Sequence, residues 1–201
     1  MQYNLSFVTP MTNRPPSSLL DFQFAEEFEQ TLHTALDSVS LTVFLCGKAL
    51  AKSRAKDLRL YLKEKLENEI TSCRVKLGEH RQLMKRYRNA AGNRAFNLAD
   101  HELVIAKQID LLVIFPCSPG SFAELGMFSV EASIAAKMVV FLDARFRKSR
   151  SYVVEGPVAA AKRRNSIIYV MKYSDREKIF KKVLDVVLKI RANKGKAKLL
   201  S

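Results

Sequence analysis

The chain has 201 residues, 48% apolar and 27% charged, a composition that suits one globular domain and excludes a fibrous or disordered chain. No apolar run approaches the roughly 18 residues of a membrane span, and residues 1–20 lack a basic start followed by an apolar stretch, so neither a membrane anchor nor a secretory signal is expected. With 34 Lys and Arg against 20 Asp and Glu the net charge is +14, which favours anionic partners, nucleic acid among them, or else reflects a solvated basic surface.

In chain order, Pro10, Pro15 and Pro16 mark an irregular arm. Ser17 and Ser18 precede Leu19, Phe22, Phe24, Phe28, Leu32 and Leu36, whose spacing predicts an amphipathic helix with Ser18 as its cap. Residues 1–40 are therefore read as an N-terminal arm and helix. Leu41 to Cys46 is a short apolar run ending at Gly47, suited to a strand buried on both faces. Residues 55–70 carry Leu58, Tyr61, Leu62, Leu66 and Ile70 at helical spacing. Cys73 to Leu77 alternates and stops at Gly78, a second strand.

Residues 79–95 gather Lys85, Arg86, Arg88 and Arg94 around Tyr87, with Phe96 following. The run reads as a phosphate-contacting patch or as an ordinary solvated segment. Asn97 caps a predicted helix over 98–108 with Asp100 at its third position. Leu111 to Phe115 is a third strand, Pro116 to Gly120 a turn, and 122–137 a helix. Met138 to Leu142 with Asp143 is a fourth strand. Residues 151–163 read as helical, with Pro157 placed awkwardly. Ser166 to Val170 is a fifth strand, and Asp175 opens a last helix through Ile179, Val183, Val187 and Ile190. Residues 41–192 thus form one α/β domain, followed by a basic tail, 193–201, expected to fray.

This alternation predicts a five-stranded parallel open sheet, flavodoxin-like or Rossmann-like, with helices on both faces and an N-terminal helix added. Ligands of such sheets bind beyond the carboxyl ends of the strands, where strand order reverses. If it reverses between the first and third strands, Gly47 and the turn at Ser118, Gly120 and Ser121 border one crevice. Gly47 permits close approach of a ligand. The helix start at the Ser118–Ser121 turn offers N–H groups and a dipole to a phosphate.

Glu124 follows in that helix. A carboxylate there can attack an anomeric carbon or stabilise charge on it. Alternatively, Ser121-x-x-Glu124 is a capping box and Glu124 bonds back to the Ser121 amide. One of Asp100 and Glu102 is expected to face the crevice and hold a base or a ribose hydroxyl; the alternative is helix-end electrostatics. Glu79 and Asp143, after the second and fourth strands, are further candidates. His33, His80 and His101 are scattered, and neither a catalytic triad nor a metal-ligand spacing emerges, so no metal and no resident cofactor is expected. Cys46, Cys73 and Cys117 match neither a zinc site nor a redox pair, and read as free thiols of a reducing cytoplasm.

The segment Phe115-Pro116-Cys117-Ser118-Pro119-Gly120-Ser121-Phe122-Ala123-Glu124-Leu125-Gly126 resembles the signature of nucleoside 2-deoxyribosyltransferase-like proteins, above all their retron-associated effector branch. Val43-Phe44-Leu45-Cys46-Gly47-Lys48, Asn97-Leu98-Ala99-Asp100-His101-Glu102 and Asp110 support the likeness, which covers roughly residues 41–172. It implies a toxin of anti-phage defence, an N-glycosidase or (deoxy)ribosyltransferase in which Glu124 is the nucleophile and Glu102, eight residues before Asp110, holds the base. The substrate would be a nucleotide or NAD. The implied partners are a retron reverse transcriptase with its RNA–DNA hybrid, and further copies of the chain in an oligomer. Cys117 departs from the pattern, standing where that branch carries an acidic residue. Longer relatives carry a further domain, so the chain reads as a compact variant or a truncated one. The competing readings are a nucleotide-sensing module without chemistry, a basic nucleic-acid scaffold, and a Toll/interleukin-receptor-like NADase.

Overall fold

A computed structural model describes residues 19–48, 57–78 and 97–200, and of 19–25 the backbone alone. The arm with Ser18, the basic run 79–95, Phe96, Glu79 and His80 lie outside the described residues.

Five strands form one sheet, β1 (Leu41–Cys46), β2 (Cys73–Leu77), β3 (Leu111–Ile114), β4 (Met138–Asp143) and β5 (Ile167–Met171), in the order β2-β1-β3-β4-β5. Every neighbouring pair is parallel, with Val43 opposite Leu111 and Cys46 opposite Ile114 at the centre. Parallel strands need crossovers that cover both faces, so the central strands are apolar at nearly every position. All four residues of β3 are buried. The helices are α1 (Leu19–Asp37), α2 (Leu58–Glu69), α3 (Leu98–Gln108), α4 (Pro119–Val130), α5 (Ala132–Ala135), α6 (Ala159–Arg163) and α7 (Arg176–Leu199). Leu62 and Leu66 of α2 join Ile179, Phe180 and Val183 of α7 over one face. Ile105 of α3, Leu125 and Phe128 of α4, Ile134 of α5 and Ala161 of α6 cover the other. None of the described helices is long and apolar enough to cross a membrane.

The α/β reading and the five strands hold. Three local expectations do not. The helix expected over 122–137 starts at Pro119, because proline at a first helical position has no N–H to leave unsatisfied and a φ already set for the helix. It also ends early. Glu131 leaves helical geometry at φ −88° and ψ 106°, and its carboxylate accepts the Ser133 hydroxyl at 2.9 Å where α5 begins. The tail does not fray: α7 runs to Leu199. Its Gly195 is buried against Leu36 of α1, Lys194 bonds Asp110 at 2.6 Å and Lys198 bonds the Ser38 hydroxyl at 2.9 Å. The helical stretch around Pro157 accommodates the proline by widening into a π turn, Val154–Val158.

Candidate active site

The chain leaves β1 toward β2 on one side and returns to β3 on the other, so the connections after Cys46 and after Ile114 diverge and open a crevice between them. Asp110 anchors the far end of this pair, its Oδ2 accepting the Thr42 N–H at 2.8 Å. At the carboxyl end lies a cavity of about 880 Å³. Gly47, Glu102, Ser118, Gly120, Ser121 and Glu124 all line it. Of the eight described residues singled out from sequence, six therefore meet in one space.

Helix α4 positions Glu124. Ser118 is its N-cap, with φ −141° and ψ 160°, and its Oγ accepts the Ser121 N–H at 3.3 Å. Ser121 reciprocates: its Oγ accepts the N–H of Ser118 at 2.8 Å and of Cys117 at 2.9 Å. The capping box is thus Ser118 with Ser121, and not the alternative box of Ser121 with Glu124. With Pro119 as the first helical residue, Glu124 is the sixth, one turn past the orphan N–H groups a cap satisfies. Its Oε2 is shielded from solvent. A second carboxylate, Glu102, reaches the same cavity from α3. Met127, Leu98 and Ala99 give the cavity an apolar wall.

Two expected ligand contacts go elsewhere. Asp100 closes the capping box of α3: its Oδ2 accepts the Asn97 N–H at 3.1 Å, while Asn97 Oδ1 accepts the Asp100 N–H at 3.0 Å. Of the pair Asp100 and Glu102 it is Glu102 that lines the cavity. Asp143 caps the 3-10 turn Ala144–Phe146, its Oδ1 accepting the Arg145 N–H at 3.0 Å, and does not line the cavity. His33 is exposed on α1, and among the described residues no three His, Cys, Asp or Glu side chains gather where a metal ion could be held. Cys46 and Cys73 are buried free thiols, and Cys117 is half-buried at the lip of the crevice.

Sequence reasoning missed Arg59. It sits in the first turn of α2, behind the cap Asp57, whose carboxylate accepts the N–H groups of Arg59 and Leu60. Only 4% of Arg59 is exposed. Its Nη1 donates to the Gly47 carbonyl at 3.4 Å and its Nε lies 3.9 Å from Asp57 Oδ1. Arg59 lines the cavity together with Lys48. Nothing local in the sequence separates it from the other 33 Lys and Arg residues.

The family model described as STM3845 retron effector protein matches residues 55–199, more than half of the chain. The chain is 27% identical over 171 residues to the "Retron Ec86 putative ribosyltransferase/DNA-binding protein" of Escherichia coli, covering 78% of this chain and 49% of that protein. It is 28% identical over 123 residues to the "Retron Ec73 putative ribosyltransferase/DNA-binding protein" of Escherichia coli, covering 61% of this chain and 38% of that protein. The chain thus spans half or less of the length of these curated relatives.

Proposed function

The chain belongs to the STM3845 retron effector family, and from that premise we propose that it is a glycosyl-transfer enzyme that cleaves the N-glycosidic bond of a nucleotide or of NAD through Glu124. The observation that carries this reading is the cavity at the switch point of the sheet, which Glu124 and Glu102 both line while the cap of α4 is closed by Ser118 and Ser121. The carboxylate of Glu124 attacks the anomeric carbon as the bond to the base breaks. The bonding pair leaves on the base nitrogen: the base of a nucleotide then takes a proton from solvent, whereas the nicotinamide of NAD, cationic while attached, leaves neutral and needs none. The resulting glycosyl ester is then opened by water or by a second acceptor, restoring the carboxylate. Glu102 orients the base, and Gly47 lets the sugar approach the end of β1. The names of the Ec86 and Ec73 proteins, each a "putative ribosyltransferase/DNA-binding protein", support the same reaction class.

Those names also carry DNA binding, and α7 presents Lys178, Lys181, Lys182 and Lys189 to solvent. The proposal includes docking of this basic surface on a retron's reverse transcriptase and RNA–DNA hybrid, as part of a toxin held in check until phage infection.

The decisive measurement is release of free base from NAD and deoxynucleotides, followed chromatographically for the wild type and for Glu124→Gln and Glu124→Ala. Loss of release and of any toxicity in folded variants is the expected result. Full turnover by a folded Glu124→Ala protein overturns the proposal.

A further inference from the structure

The start of α4 is the expected phosphate cradle of this site, yet the N–H groups of Cys117, Ser118, Ser121 and Phe122 there are engaged within the protein. Cys117 and Ser118 give their N–H groups to Ser121 Oγ, Ser121 gives its own to Ser118 Oγ, and Phe122 gives its own to the Ser118 carbonyl. A phosphate there would have to displace hydroxyls that already satisfy these groups.

Across Gly47 lies a second cavity of about 350 Å³. Lys48, Asp57, Arg59, Tyr173 and Arg176 line it, so three cationic side chains face one carboxylate. The two cavities share Gly47, Lys48 and Arg59. Arg59 is the link: a nearly buried guanidinium presented to both spaces. Gly47 is the saddle between them. A Cβ on it would stand 3.2 Å from Arg59 Cδ and 3.4 Å from Phe115 Cβ, so side-chain bulk here would press on both. Arg176 is steadied by the Tyr61 ring, whose centroid lies 5.6 Å from its guanidinium carbon. Tyr173 is anchored by donating to the Phe141 carbonyl at 2.8 Å. A guanidinium in a water-poor setting is the strongest phosphate donor among the side chains, because its planar fork matches two phosphate oxygens.

We propose that the two cavities hold one ligand, with its sugar and base over Glu124 and its phosphate in the second lobe on Arg59, Lys48 and Arg176. The substrate class is then a phosphorylated nucleotide, and free nucleosides are poor ligands. This rests on the catalytic reading of the first cavity and adds the group that selects among its substrates.

The test is calorimetric binding to the full chain carrying Glu124→Gln, with the four common ribonucleosides, their 5′-monophosphates and inorganic pyrophosphate as probes. At least one monophosphate is expected to bind about tenfold or more tighter than its nucleoside, as one charge-assisted contact would give. Pyrophosphate should compete with it. Arg59→Met and, because Arg59 is buried, the more accessible Arg176→Gln should each cut that preference to about threefold or less. Equal affinities for nucleoside and monophosphate, a preference that survives both substitutions, or no binding of monophosphates and pyrophosphate at millimolar concentration overturns the proposal. Turnover that persists in Glu124→Ala would remove the catalytic reading while leaving this binding difference standing. A lost phosphate preference with Glu124-dependent turnover intact would remove only the second lobe.

Discussion

Ser121 Oγ accepts the main-chain N–H of Ser118 at 2.8 Å, so the cap of α4 is closed before the chain reaches Glu124. Stability and chemistry therefore sit on different residues of the same helix. Ser121→Ala leaves the N–H groups of Cys117 and Ser118 without their shared acceptor and should cost about 1–3 kcal/mol. Glu124→Gln keeps the cap and should cost less than about 1 kcal/mol. Urea unfolding of the two variants against the wild type reads the difference. The reverse order would mean that Glu124 supports the helix start after all.

Activity should divide the other way. Glu124→Gln is expected to lower kcat by about 10³-fold or more, since a carboxamide cannot form the glycosyl ester. Glu102→Ala is expected to act mainly on KM, by about tenfold, because its assigned contact holds the base in the ground state as well as the transition state. Steady-state kinetics on any nucleotide the enzyme turns over separates the two roles.

Gly47→Ala tests the saddle. The added methyl meets Arg59 Cδ at 3.2 Å and Phe115 at 3.4 Å, closer than most such contacts. Arg59 has to shift by a few tenths of an ångström, and a stability loss of about 1–2 kcal/mol is expected from the overpacking. The larger effect should fall on ligands that reach both cavities. Calorimetry with a nucleotide and its nucleoside should show the nucleotide weakened more.

Alkaline pH should unfold the protein through Cys73 first. Burial, and then the carboxylate of Glu67, push its thiol from 9.0 up to about 11. The fold therefore holds this proton more tightly than the unfolded chain does. That contribution is complete below about pH 9 and is lost between about 9 and 11, as the unfolded thiol ionises first. Tyr61, raised to about 12 by burial and by its bond to Glu177, extends the loss above pH 10. Thermal melts across this range should show Cys73→Ala beginning its decline about one pH unit later than the wild type.

The seam of α1 with α7 offers a separate test. A Cβ on Gly195 would lie 2.9 Å from Leu36 Cδ2, and Arg191 and Lys194 reach across to the carbonyls of Leu36 and Ser40. Gly195→Val should push the helices apart at a cost of about 1–3 kcal/mol, with the site unchanged. Hydrogen exchange should report faster opening of both helices.

Much of this molecule is legible along the chain. The five strands read from short apolar runs that end at Gly47, Gly78 and the Pro116 turn, because a strand covered on both faces must be apolar at nearly every position. The cap of α3 read from Asn97 and Asp100, since capping chemistry is confined to four residues. Glu124 is visible as a carboxylate near a helix start, but local spacing leaves open whether it serves the cap or the crevice. The box that forms is Ser118 with Ser121, because Pro119 takes the first helical position and makes Ser118 the cap.

Sequence by itself determined the alternation, the elements and the candidate carboxylates, because periodicity, caps and turns act over a few neighbouring residues. Tertiary structure alone decided that β1 and β3 are neighbours, that their diverging ends make a cavity, and that Glu102 rather than Asp100 lines it. It also made Arg59, one basic residue among 34, the buried link between two cavities. The reason is physical: strand order and the desolvation of a charge are set by packing between residues far apart in the chain, and no local pattern records them.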